Sequence, residues 1–319
     1  MMKILATMPF TEDDKKYLEG IARGCEFLYK DMKSVDENDV KDIDIILGNV
    51  SPAVVSVAPG LKWLQTNSAG VDPYCKEGVL SEGTILTSAS GAYDTSVSEW
   101  MVTVSFMLAR KSDLYMRHQV ERTWQLEGKV LSVEDSTTLV LGLGSIGKHY
   151  ARKMHALGSY VIGVTRTQHD EKPDFVDELT TVEHLDELIP RADYVAMVLP
   201  GTAENVDIID AKRLGLMKET AFLINAGRGN AVDNMALNEA LCEGRIGGAA
   251  LDVTSPEPLP VDHPLWDAPR CIITPHIAGQ FFLAKTFRNI VKITGENLQK
   301  YLSGDIAGMK NRIDTKKGY

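Results

Sequence analysis

The chain has 319 residues, enough at about 150 residues per domain for about two domains, each able to bury a core of its own. Its composition, 44% hydrophobic and 24% charged, excludes disordered and fibrous classes. A formal charge of −10 argues against a nucleic-acid or anionic-membrane surface, either of which needs a basic patch.

Short β-rich runs alternate with helical stretches along most of the chain, the pattern of parallel sheets built from βαβ units. Lys3 to Met8 opens a first series and is too short in its apolar part for a signal peptide. Further strands are expected at Glu26 to Tyr29, Ile43 to Gly48, Trp63 to Thr66 and Ile85 to Thr87. Ser51-Pro52 predicts a helix start, with a capping hydroxyl before a proline. A long helix is predicted from Ser96 to Arg117, and its apolar part near Trp100 to Ala109 falls short of the ~18 residues of a membrane span. A second series follows at Thr138 to Leu141, Tyr160 to Val164, Tyr194 to Leu199, Ala221 to Asn225, Gly248 to Asp252 and Cys271 to Thr274, and a last helix at Phe282 to Leu302. With no strands left to cover, that helix is expected to pack back on the first series. The four cysteines, Cys25, Cys75, Cys242 and Cys271, lack metal or redox spacing and are read as reduced thiols, which places the chain in the cytoplasm.

The most informative turn is Gly142-Leu143-Gly144-Ser145-Ile146-Gly147, between a strand and a helical stretch expected from Lys148 to Leu157. Gly142 permits the tight turn, Gly144 lets the backbone approach a pyrophosphate, and Gly147 lets helix and strand pack closely. The helix amides, from Ser145 and Ile146 onward, would face the phosphates. At the end of the next strand, roughly 20 residues on, a site for NAD usually presents an acid to the adenosine ribose. Thr165-Arg166 stands there instead, and an arginine suits a 2′-phosphate, so NADPH is expected to be favoured over NADH.

Three later segments follow strands of the second series, where open parallel sheets bind ligands. Asn225-Ala226-Gly227-Arg228-Gly229 is a sharp turn that would aim Arg228, whose planar guanidinium suits a carboxylate, into the crevice. His276 follows Thr274-Pro275, and Glu257-Pro258 supplies a carboxylate to hold its imidazole. The other histidines, His118, His149, His155, His169, His184 and His263, are read as solvated, and none forms a metal-ligand cluster.

With these segments, Leu199-Pro200-Gly201-Thr202, Leu251-Asp252-Val253, Val232-Asp233, Val97-Ser98-Glu99 and Thr274-Pro275-His276-Ile277-Ala278-Gly279 together resemble the D-isomer-specific 2-hydroxyacid dehydrogenase family. The match is dense from Ser96 to about Gly279 and loose elsewhere; Ser98 replaces the family's alanine. The resemblance implies a Rossmann NAD(P)-binding domain, residues 96–281, inserted in a flavodoxin-like substrate domain, residues 1–95 and 282–319, both doubly wound parallel sheets. It implies Arg228, Glu257 and His276 as catalytic residues, Asp252 near the nicotinamide amide, and dinucleotide contacts extending to Leu199, Pro200, Ala226, Gly227 and Gly279. Asn67-Ser68-Ala69-Gly70-Val71-Asp72 resembles the family's substrate loop, with Ser68 and the amides of Ala69 and Gly70 at the substrate carboxylate. The activity implied is interconversion of a small 2-keto acid and its D-2-hydroxy acid by a metal-free homodimer, with contacts along the helix from Ser96 and around Trp124. Phosphoglycerate dehydrogenase-like and glyoxylate or hydroxypyruvate reductase activities remain open, although the chain stops at Tyr319 without the regulatory domain of larger phosphoglycerate dehydrogenases. A dinucleotide-sensing binding protein, as in corepressors that reuse the fold, is the reading from another class.

Overall fold

A computed structural model describes residues 1–316. The chain divides into two compact units, Met1–Tyr93 with the chain from Phe281 onward, and Asp94–Gln280. Among the described residues no helix is long and apolar enough to cross a membrane.

The first unit runs β1 (Lys3–Ala6), α1 (Glu12–Ile21), β2 (Glu26–Tyr29), β3 (Ile45–Leu47), α2 (Pro52–Val55), β4 (Trp63–Gln65) and β5 (Ile85–Thr87). All five strands are parallel, in the order β2-β1-β3-β4-β5, the order of the flavodoxin-like sheets. Every residue of β3 and β4 is buried, as expected for strands covered on both faces. Helix α1 starts where Thr11 and Asp14 form a reciprocal capping box, with acids in the first turn favoured by the helix dipole.

The second unit opens with α3 (Asp94–Ala109) and α4 (Ser112–Glu121), followed by β6 (Thr137–Leu141), α5 (Ser145–Ala156), β7 (Tyr160–Thr165), β8 (Glu178–Thr181), α6 (Leu185–Leu188) and β9 (Tyr194–Met197). It continues through α7 (Ala211–Leu216), β10 (Phe222–Asn225), α8 (Asn234–Cys242), β11 (Gly248–Leu251) and β12 (Cys271–Ile273). Its seven strands are parallel in the order β12-β11-β10-β9-β6-β7-β8, the doubly wound pattern in which strand order reverses between β6 and β9. One continuous apolar core, from Leu139 and Ile162 to Leu223, Leu237 and Leu265, sits beneath this sheet. Finally α9 (Ala284–Leu302) returns to the first unit and packs on α1. There Asn297 donates to Gln65 Oε1 at 2.9 Å, and Tyr301 stacks on Trp63 at 5.1 Å.

Several expectations need correction. The long helix from Ser96 breaks into α3 and α4 because Lys111 adopts φ +55°, so the first helix ends at Ala109. Helix α5 starts at Ser145 rather than Lys148, so the glycine turn runs directly into it. Ser51 precedes a helix of only four residues and makes no side-chain cap. The strands ending at Met8, Gly48, Thr66, Leu199, Asp252 and Thr274 each stop one or two residues earlier, where ladder bonding gives way to loops. Strand β8 lies outside the apolar pattern: its sequence, Glu178-Leu179-Thr180-Thr181, is mostly polar, and it pairs only with β7 at the sheet edge. His118 is not solvated, since its side chain is 16% exposed and its Nε2 meets Glu127 Oε1. All four cysteines are free, and burial pushes the Cys271 thiol up to about 12.

Candidate functional site

The dinucleotide turn lies at the carboxyl end of β6, beside the reversal of strand order. Gly142 holds φ +96°, and a Cβ there would press to 2.8 Å from the Val198 carbonyl oxygen, so the turn tolerates no side chain. At Gly147 a Cβ would sit 2.0 Å from the Gly142 carbonyl oxygen, which is how closely α5 is drawn onto the turn. By contrast, a Cβ on Gly144 would meet no atom within 4 Å. That open cradle, at a helix start with no side-chain cap, fits a pyrophosphate held by the first amides of α5. The Ser145 hydroxyl is committed to Asp94 Oδ2, so Ser145 offers a ligand its amide. Ile146 is half-buried behind it.

Across the reversal point, half-buried Leu199 and exposed Pro200 follow β9. A Cβ on Gly227 would come within 2.6 Å of the Leu199 amide nitrogen, so the loops after β9 and β10 touch backbone to backbone. At the end of β7 the Thr165 hydroxyl donates to the Thr167 carbonyl at 2.8 Å. Arg166 is exposed. Glu204, in the loop after β9, has its carboxyl held below the usual range by the Thr202 hydroxyl, then by its own backbone amide, and also by the Arg166 charge.

The later loops share the same sheet edge. Half-buried Arg228 caps a short 3-10 turn, and its Nη1 donates to the Gly227 carbonyl at 2.9 Å. The turn that presents it is tied by Asn225, whose side chain is buried, accepts from the Gly227 amide at 3.0 Å and donates to the Arg228 carbonyl at 2.9 Å. Half-buried Ala226 lies within that turn. Past β12, His276 adopts φ +53°, and its Nδ1 meets Glu257 Oε1 at 2.7 Å, a pair about half exposed to solvent.

Asp252, only 3% exposed, grips the segment that carries His276. Its Oδ1 accepts from Thr274 Oγ1 at 2.6 Å and from the Ile277 amide at 2.9 Å, and its Oδ2 from the Ala278 amide at 3.0 Å. Its backbone carbonyl accepts from the His276 amide at 2.8 Å. A carboxylate has about four lone-pair sites, so most of the acceptor capacity of Asp252 serves its own loop. Gly279 follows, half-buried. Asn225, which ends buried β10, and Thr274, which follows half-buried β12, build the site although their sequence motifs assign them no role; a short polar side chain at a strand end is common to many turns.

In the first unit the loop after β4 is clasped from both sides. Asn49 donates its amide to Asn67 Oδ1 at 2.7 Å, and Asn67 donates its own to Asn49 Oδ1 at 3.0 Å. The Tyr93 hydroxyl donates to the Asn67 carbonyl, and Ser68 Oγ donates to the Gly70 carbonyl at 2.7 Å. Ser68, Ala69 and Gly70 are half-buried, and among the described residues the amides of Ala69 and Gly70 make no hydrogen bond.

A model of the NAD-binding domain of D-isomer specific 2-hydroxyacid dehydrogenases matches residues 102–278. The chain is 32% identical over 268 residues to glyoxylate/hydroxypyruvate reductase B of Pectobacterium atrosepticum, covering 81% of each. It is 31% identical over 312 residues to D-3-phosphoglycerate dehydrogenase of Methanocaldococcus jannaschii, covering 96% of this chain and 59% of that protein. The NADPH-dependent glyoxylate/hydroxypyruvate reductase of Sinorhizobium meliloti, solved with NADP and sulfate, matches with a TM-score of 0.83 and 25% identity over 100% of both chains.

Proposed function

Because this chain belongs to the D-isomer specific 2-hydroxyacid dehydrogenase family, a family of NAD(P)-dependent oxidoreductases, we propose that it interconverts a 2-keto acid and its D-2-hydroxy acid with His276 as the acid and base. The observation that carries this reading is the 2.7 Å hydrogen bond between His276 Nδ1 and Glu257. It occupies one ring nitrogen, fixes the ring and leaves Nε2 for a substrate oxygen.

In this reading Arg228 grips the substrate carboxylate with its planar fork and polarises the neighbouring carbonyl, and Asn225 holds the turn that aims it. The amides of Ala69 and Gly70, in the loop begun by Ser68, hold the same carboxylate. Protonated His276 gives its Nε2 proton to the carbonyl oxygen in reduction and takes it back in oxidation, while Glu257 retains the ring through Nδ1. The dinucleotide, when bound, supplies or accepts the hydride at substrate C2. Gly142, Gly144, Ser145, Ile146 and Gly147 would hold its pyrophosphate, Thr165 and Arg166 its ribose end, and Leu199, Pro200, Ala226, Gly227, Asp252 and Gly279 the remainder. NADPH is the preferred form, on the absence of an acid at Thr165. The four free cysteines support a cytoplasmic location.

Reduction of a panel of 2-keto acids by the purified protein, followed through the nicotinamide absorbance with product chirality assigned, tests the reaction. A D-product is expected; no turnover of any acid with either cofactor would refute the reading.

A homodimer is part of the same proposal. Val120, Trp124 and Leu126, on and after α4, are almost wholly exposed, and Met116 is exposed beside them, an apolar patch that a second copy would cover. Light scattering should give twice 35.1 kDa; a monomer mass at micromolar concentration would contradict this.

A further inference from the structure

The first sheet has its own reversal of strand order, between β1 and β3, and open α/β sheets bind ligands at the carboxyl edge beside such a point. A cavity of about 410 Å³ lies there, bounded by residues that follow β1 and β2 and by Asn67 just past β4. Its size is that of a small-molecule site. The walls are mainly apolar: Met8, Phe10, Tyr29, Met32 and Phe281. Phe10 packs edge-on against Tyr29, at 6.5 Å, and tilted against Phe287, at 6.1 Å. Thr7 also lines the cavity, and its hydroxyl is buried with no hydrogen-bond partner in the protein.

Asn67 joins this cavity to the loop whose amides the reading above assigns to the substrate carboxylate. We propose that the cavity receives the side chain of the 2-keto acid, and that the preferred substrates carry a branched aliphatic or aryl group. The inference rests on that reading of the reaction and adds the substrate class to it.

The charges decide against an anionic side chain. Lys15 and Lys30 both border the cavity, but each ammonium already has an acid partner, Lys15 in Glu12 at 2.7 Å and Lys30 in Asp39, and Asp31 lines the cavity as well. A phosphate or a second carboxylate would have to share those ammoniums with their acids and would also face Asp31. Glyoxylate, with only hydrogen at C2, would leave the apolar walls without partner atoms. Filling them gains about fourfold in binding per buried methylene, so an isobutyl or benzyl group should exceed glyoxylate by about tenfold or more even after losses to side-chain ordering.

The test compares kcat/KM for glyoxylate, hydroxypyruvate, phosphohydroxypyruvate, 4-methyl-2-oxopentanoate and phenylpyruvate with both cofactors, in wild type and in Met32→Trp. Met32 is exposed at the rim, in a 3-10 turn capped by Asp31, so the larger ring can project into the cavity without entering the core. The expected result is a preference of about tenfold or more for one of the two bulky apolar acids over glyoxylate, and a fall of about tenfold in that ratio in Met32→Trp. Preference for glyoxylate or phosphohydroxypyruvate in wild type would overturn the side-chain site while leaving the dehydrogenase reading intact. A bulky-to-glyoxylate ratio unmoved by Met32→Trp would do the same. No reduction of any acid would overturn both.

Discussion

Asp252→Asn isolates the contribution of one buried carboxylate to the segment that carries His276. The substitution keeps size and shape but replaces one acceptor oxygen with an amide that only donates. The less costly orientation retains oxygen at the Oδ1 position, where Thr274 Oγ1 and the Ile277 amide both donate, and sets the new NH₂ against the Ala278 amide. Two donors then face each other at a residue only 4% exposed, so water cannot replace the lost acceptor. Losing one hydrogen bond to a charged group and stranding a buried amide should together cost about 2 to 3 kcal/mol. For a unit of this size the melting temperature should fall by roughly 4 to 12 °C, read by calorimetry. Turnover should fall with it, by up to about 10²-fold, because the 274–278 segment sets the position of His276. Asp262→Asn, at an exposed loop acid, serves as the control and should change stability by no more than about 0.5 kcal/mol. If Asp252→Asn melts within about 2 °C of wild type, the three bonds do not carry the load assigned to them.

His276→Asn, which removes the proposed acid, should leave dinucleotide affinity nearly intact and lower turnover by about 10² to 10⁴, and a variant with more than half of wild-type turnover would remove His276 from the chemistry. Arg228→Lys should lower kcat/KM for the keto acid while the dinucleotide dissociation constant barely moves, since a point charge replaces a two-pronged donor; equal losses on both would assign Arg228 to the cofactor. Wild type should favour NADPH, by about ten- to a hundredfold if Arg166 makes a charge-assisted contact with the 2′-phosphate, and Thr165→Asp should reverse the preference by supplying an acceptor for the ribose hydroxyl and repelling the phosphate. A wild type that favours NADH tenfold would show this reading of Arg166 to be wrong.

What the chain reveals on its own is local and periodic. Buried parallel strands read as short apolar runs, so the two α/β series and eleven of their strands can be found by eye. The run Gly142 to Gly147 is legible because one turn needs glycine for backbone reasons that neighbouring residues cannot relieve. The features that escaped depend on partners distant in sequence. Strand β8 has too little apolar character to announce itself and exists through its pairing with β7. The break at Lys111 leaves no proline or glycine behind, and His118 is drawn in by Glu127, a residue beyond its own helix. Which carboxylate meets which loop is decided in the same way: Glu257 reaches the ring across 19 positions, and Asp252 spans 25 and 26 to the amides it holds. Residue types named the candidates, but only the parallel ladder, by bringing the ends of β11 and β12 side by side, turned them into a hydrogen-bonded pair and a clasp. The cavity beside Asn67 likewise has no signature in the chain, because its walls come from the ends of three strands and from Phe281, brought together only when the sheet has formed.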